Sequence, residues 1–309
     1  MWGTGDMVSP LHDVLVRTPT TVGRFVEDGG WREPDRAALL DEHRRFVELL
    51  RGLGSTVHVA NAIDGLVDAV YMHDPVIMTP HGAILLRMAK PIRTPEPAHA
   101  RRDLERLGVP ILGELTAPAH ADGGDKVWLD SRTLLVGHGY RTNAAAIDQI
   151  RALLSPHGVT VHAFDLPHFR GPAEVLHLMS VLSPIAHDLA VVYEPLAPVR
   201  LLECLRERGI AWIPVTNTEV LTQGANILAV ALDGEVGAVE EVDLDAGGAE
   251  ARLDVGIAGG EDDDAGREGE QVCALSEHLP VAEGDPRDAA LSEALEDAHG
   301  VERLVDDRP

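Results

Sequence analysis

Apolar residues fall along this chain in short bursts separated by longer amphipathic stretches. Runs rich in Val, Ile and Leu recur at DVLVR (13–17), GAILLR (82–87), TLLVG (133–137), LAVVY (189–193) and NILAVAL (226–232). Short unbroken apolar runs bounded by turn-forming residues predict strands. Between them, apolar positions at three- and four-residue spacing predict helices over Asp35–Leu53, Ala98–Leu107, Asn143–Leu154 and Pro198–Arg208. The second to fifth runs lie roughly 35–55 residues apart, which points to internal repetition. Strands alternating with helices define an α/β class. The default topology for that alternation is a doubly wound parallel sheet, but no G-x-G-x-x-G or Walker A loop follows an early strand, so a nucleotide-binding version has no support.

Composition adds bounds. With 309 residues, 45% apolar and 25% charged, the chain has the make-up of a globular protein with a sizeable core. The two cysteines, Cys204 and Cys273, are far apart and follow no signal-like segment, which fits a reducing cytoplasm better than a disulfide framework. No run approaches the roughly 18 apolar residues of a membrane helix.

The net charge of −25 changes the picture because it is uneven. Residues 233–309 carry 24 of the 51 acidic side chains and 5 of the 26 basic ones, with no Phe, Trp, Tyr or Lys. Two regions result: residues 1–232, of ordinary composition, and an acidic, aromatic-free tail over 233–309. The tail admits three readings: a solvated disordered segment, an acidic interaction module, or the product of a shifted reading frame beginning near Leu232. The sign of the charge is wrong for nucleic acid.

Candidate chemistry lies in four segments: YMHDP (71–75), ADGGDKVWLDSRTLLVGHGYRTN (121–143), LHLMS (176–180) and QGAN (223–226). Asp74 precedes Pro75, which forces an extended backbone, and taken alone the pair is a turn initiator. Asp122 opens an Asp-Gly-Gly-Asp turn whose glycines allow close backbone approach to a ligand, as a plain surface turn would also. His177, between Leu176 and Leu178 on an apolar strand, reads by itself as a satisfied core residue. Arg141 offers a fork suited to a carboxylate, or a surface charge at a helix start. The histidines form no metal-binding signature.

Together these segments resemble the guanidino-group modifying superfamily, which includes dimethylarginine dimethylaminohydrolase, arginine deiminase and the amidinotransferases. The resemblance runs from about Leu11 to about Leu232. It implies a pentein-type α/β-propeller of repeated ββαβ modules around a central channel, of which four can be placed and the last is in doubt. It implies that Asp74 and Asp122 bind a guanidinium, that Asp125 stabilises its turn, that His177 is general acid and base, and that Arg141 holds the substrate carboxylate. A cysteine thiolate near the C-terminus would then attack the guanidinium carbon. Three departures stand out. His73 occupies a position where Arg is common, Met179 replaces the Asp of the deiminases, and neither G-N-P-R-T nor G-G-P-x-C follows QGAN. Cys273 is the one cysteine in the right region, and its acidic neighbours disfavour a thiolate. Cys204, at helical spacing with leucines, reads as a buried structural thiol.

The expectation is a cytoplasmic hydrolase acting on the guanidinium C–N bond of arginine or a methylated arginine. The alternatives are an amidinotransferase, or a non-catalytic relative that binds guanidino compounds. The implied partner is a small guanidino substrate, with no metal, cofactor, nucleic acid or membrane, and with a homodimer left open.

Overall fold

The computed structural model describes residues 3, 5–169, 171, 176–221 and 223–231, together with three short strands at 242–244, 251–253 and 272–276. Its central part is one unit used three times. In the first use, β3 (Val76–Thr79) pairs antiparallel with β4 (Gly82–Leu85), and helix α2 (Glu96–Arg106) then leads to β5 (Ile111–Glu114), parallel to β4. The second comprises β6 (Lys126–Asp130), β7 (Thr133–His138), α3 (Ala144–Leu154) and β8 (Thr160–Asp165). The third comprises β9 (Leu182–Ala186), β10 (Leu189–Val192), α4 (Val199–Glu207) and β11 (Ala211–Pro214). Each sheet keeps the order first strand, second strand, third strand, with the second in the middle.

The flanking units are shorter. Strand β1 (Asp13–Arg17), helix α1 (Arg36–Gly52) and strand β2 (Thr56–Ala60) form a parallel βαβ unit. After α5 (Asn217–Leu221), β12 (Ile227–Ala231) pairs antiparallel with β15 (Val272–Ser276), and β13 (Val242–Leu244) pairs with β14 (Ala251–Leu253). This mixed α/β architecture of ββαβ modules replaces the doubly wound sheet as the topology behind the alternation.

The helix expectations hold to within two residues at each end. Asp35 caps α1 by accepting from the amides of Ala37 and Ala38, and Asn143 caps α3 by accepting from Ala146 N.

The middle strands are unbroken apolar runs because both of their faces are buried. On β7, Leu134 and Val136 join the core shared with Ile77, Ile84 and Ile150, while Leu135 joins the next one with Leu182, Ala190 and Leu205. On β4, Ile84 faces the first of these cores and Ala83 and Leu85 face another; on β10, Ala190 and Val192 face one core and Val191 a further one. Alternation of side chains across each strand therefore feeds two neighbouring cores, and each module is stapled to the next.

The tail beyond Ala231 lies outside the described residues except for its three strands, and the Ser292–Gly300 stretch, with its short-helix pattern, lies outside them too. Among the described residues no helix is long and apolar enough to cross a membrane.

Candidate active site

Apart from Arg141, which lies between β7 and α3, the chemistry-bearing residues lie just before the first strand of a module. Asp74 precedes β3, the Asp122–Asp125 turn precedes β6, His177 precedes β9, and QGAN precedes β12. Module stacking brings the first three together.

The Gly-Gly-Asp turn at 123–125 is a single 3-10 turn seated on Asp74. Gly123 N donates to the Asp74 carbonyl at 2.9 Å, and Gly124 N donates to Asp74 Oδ1 at 3.0 Å. The second glycine is required by space: a Cβ on Gly124 would stand 2.6 Å from Cδ2 of His177. His177 itself is extended and caps the 3-10 turn Leu178–Ser180 instead of lying on a strand; the strand begins at Leu182. Its Nδ1 meets Asp125 Oδ1 at 3.0 Å, and the same oxygen accepts the Leu178 amide at 3.2 Å. Thr142 Oγ1 donates to the other Asp125 oxygen at 2.7 Å. Asp125, read from the sequence as a turn stabiliser, thus orients the histidine. Among the described residues Nε2 of His177 has no hydrogen-bond partner.

The carboxylates are held by resident arginines. Arg93 Nη1 donates to Asp74 Oδ2 at 2.6 Å and pairs in a fork with Glu96, with both bonds at 2.8 Å. Arg141 reaches Asp122 Oδ2 through Nε at 2.8 Å and Nη2 at 2.7 Å, while Ala89 N donates to Asp122 Oδ1 at 3.0 Å. The Arg-Thr-Asn run therefore serves three purposes in three residues: Arg141 binds Asp122, Thr142 binds Asp125, and Asn143 caps α3. Asp122 and Asp125 are closed to solvent at 0% and 2% side-chain exposure, whereas Asp74, His177 and Arg141 keep 15%, 14% and 12%. The latter three face the open side.

Electrostatics separate the groups. Burial lowers the pKa of His177, but Asp125, Asp74 and Asp122 outweigh it and hold the imidazole above its ordinary value. For Asp74, burial pushes upward and the Arg93 and His177 charges prevail, keeping the carboxyl far below its usual range. Burial brings Lys126 down to about 7 against the pull of Asp74 and Asp125. The crowding of protein atoms around His73, and then the Lys126 amine, hold that imidazole below its ordinary value, although the residue remains exposed toward the open side.

The two cysteines differ. Cys204 is buried on α4, with its thiol pushed up by burial and Arg208 Nη1 at 3.0 Å from its sulfur. Cys273 sits on β15 opposite Val230, and its side chain lies outside the described residues. In QGAN, buried Ala225 offers its carbonyl to Ser183 Oγ at 2.7 Å, tying the segment to β9. Arg93, Glu96, Lys126 and Thr142 were missed by sequence reasoning. Arg93 and Glu96 had an R-x-x-E spacing as their signal, and Lys126 a cation placed directly before the apolar run VWL.

Among the described residues no group of three or more His, Cys, Asp or Glu is arranged to hold a metal ion. A cavity of about 830 Å³ lined by Arg17, His99, Arg102 and Arg106 lies beside α2 and shares no residue with this cluster.

The repeated ββαβ modules and the aspartate–histidine cluster define a protein of the guanidino-group modifying class. Residues 32–240 match the family described as N,N dimethylarginine dimethylhydrolase, eukaryotic, and the chain belongs to that family. It is 29% identical over 192 residues to an N(G),N(G)-dimethylarginine dimethylaminohydrolase of Streptomyces coelicolor, covering 62% of this chain and 71% of the relative. It is 25% identical over 179 residues to the Pseudomonas aeruginosa protein of the same name, covering 57% of this chain and 66% of that one. In structure it resembles a Pseudomonas aeruginosa dimethylarginine dimethylaminohydrolase complexed with citrulline, with a TM-score of 0.58 and 21% identity over 71% of this chain and 81% of that one. It also resembles the N-terminal domain of ArgZ, an arginine dihydrolase from cyanobacteria, with a TM-score of 0.60 and 17% identity over 70% and 80%. These likenesses are of fold.

Proposed function

We propose that the protein hydrolyses the guanidinium C–N bond of arginine or a methylated arginine, giving citrulline and an amine. The observation that carries this reading is the convergence of Asp74, Asp122 and an Asp125-held His177 beside Arg141. A planar cation needs carboxylates along its edge, and the two oxygens of Asp74 each accept one hydrogen bond, from Gly124 N and Arg93 Nη1, and so keep acceptor capacity for it.

The Arg141–Asp122 pair suggests how an amino-acid substrate enters. Its carboxylate takes Arg141, and its guanidinium takes the Asp122 thus released, so two ion pairs replace one and no buried charge is left alone. Asp74, already open, holds the other edge. A thiolate, for which Cys273 is the candidate, adds to the guanidinium carbon, and His177 Nε2–H passes its proton to the departing amine. Neutral His177 then takes a proton from water, whose oxygen adds to the same carbon. Expulsion of the thiolate, with release of the remaining hydroxyl proton to solvent, yields the ureido product. The carboxylates that hold the histidine above its ordinary pKa favour the protonated form, the one the first step needs as donor.

The test is incubation of the full chain with asymmetric dimethylarginine, reading citrulline and dimethylamine by mass spectrometry. Equal yields from wild type and loss in His177→Asn support the reading. Full turnover in Cys273→Ser would end the covalent mechanism. Ligand binding without product would leave a guanidino-compound-binding protein, and consumption only with an acceptor amine would make it an amidinotransferase.

A further inference from the structure

Lys126 opens the strand KVWLD, whose middle three residues are apolar, and 4% of it is exposed. Its Nζ donates to the carbonyl oxygen of His73 at 2.9 Å and to that of Gly123 at 3.3 Å, and lies 2.9 Å from His73 Nε2. The turn before β3 and the turn before β6 are therefore joined twice over. One join is the backbone pair from Gly123 N and Gly124 N to Asp74, and the other is this single side chain. With its pKa brought to about 7, the amine supplies hydrogen-bond donors more than a permanent charge. Without it, the carbonyls of His73 and Gly123 lose a side-chain donor where Gly123 and Lys126 are buried.

We propose that Lys126 is a positioning residue of the site: by donating to the carbonyls of His73 and Gly123, it fixes the turn carrying Asp74 against the turn carrying Asp125. The carboxylate that meets a guanidinium and the imidazole that serves the leaving amine are thereby kept at one spacing, and the His73 ring is held at the site's open side. This rests on the guanidinium reading of the cluster.

Two variants of the full chain open the same seam from opposite sides. Lys126→Met keeps the side-chain length and removes the donors. Gly123→Ala keeps Lys126 but drives a Cβ into the His73 carbonyl oxygen that Lys126 holds, 2.7 Å from its Nζ and 2.8 Å from Asp74 Cα. Monomethyl-L-arginine binding is read by calorimetry, and the His177 titration midpoint by NMR. In both folded variants the dissociation constant rises about tenfold, as expected for misplacement of a binding group. The His177 midpoint also falls, because Asp74, one of the charges that raise it, drifts away. Wild-type affinity together with a wild-type midpoint in both variants overturns the proposal, and if Lys126→Met does not fold, Gly123→Ala decides. If the wild type binds no methylarginine, the guanidino reading fails, while the His177 midpoint still decides the role of Lys126.

Discussion

Asp125 and His177 are 3.0 Å apart and come from the entrances of two consecutive modules, so an acid–base pair is built across a seam and not within a unit. The carboxylate is pinned by Thr142 and the Leu178 amide, which fixes the imidazole with Nδ1 inward and Nε2 toward the open side.

Asp125→Asn removes the largest charge that raises His177 and leaves burial to dominate. The His177 midpoint then falls from its wild-type position, and turnover drops about a hundredfold or more. The sign for stability is set by the raised value. The wild-type pair contributes fully below the unfolded imidazole midpoint of about 6.5 and loses that contribution as pH rises through the higher folded midpoint. NMR titration and urea unfolding of both proteins across that range check this.

Gly124→Ala places a Cβ 2.6 Å from His177 Cδ2 and 2.8 Å from Cγ. The ring must turn off Asp125, with a loss of roughly a hundredfold in kcat and little change in far-UV circular dichroism. Wild-type kcat in this variant would contradict the assigned position of the imidazole.

Arg141→Met leaves buried Asp122 with only the Ala89 amide and is expected to cost about 3–5 kcal/mol. Adding Asp122→Asn restores much of that stability, because the uncompensated charge is gone. Denaturant unfolding of the two single variants and the double variant completes the cycle.

Arg93→Met strips Asp74 and Glu96 of their shared partner, and about 3–5 kcal/mol of stability goes with it at neutral pH. Asp74, held far below its usual range, contributes stability above the ordinary carboxylate value of about 3.9 and loses it as pH falls through its folded value. Glu96 has the opposite sign, since burial pushes it up. The gap between variant and wild type therefore narrows as the solution is acidified from neutrality, which unfolding curves at several pH values read directly.

The sequence was most legible where local chemistry and packing agree. Asp35 and Asn143 announce their helices because a cap is read by the backbone beside it. Strands β4, β7 and β10 announce themselves because both faces are apolar. The outer strands do not: β2 (TVHVA), β8 (TVHAFD) and β11 (AWIP) carry polar, aromatic or proline residues, and β9 tolerates Pro184 because it is an outer strand of its sheet. In the site, Asp74, Asp122, Arg141 and His177 could be named from motifs, but their partners could not. Arg93 lies 19 residues from Asp74, and Lys126 lies 53 from His73. The first pairing exists only once its module has folded, and the second only once two modules stack.

That stacking divides the labour of the molecule. The interiors of the units hold leucines and isoleucines, while Asp74, Asp122, Asp125 and His177 stand at their thresholds, with Arg93 and Arg141 reaching them from the turns before the helices. A chain cleaved at a threshold keeps most of its secondary structure and loses the cluster at once, whereas a change deep inside one unit weakens the whole without redrawing the reaction. Chemistry here belongs to the joints, and so does the freedom to alter it without rebuilding the rest.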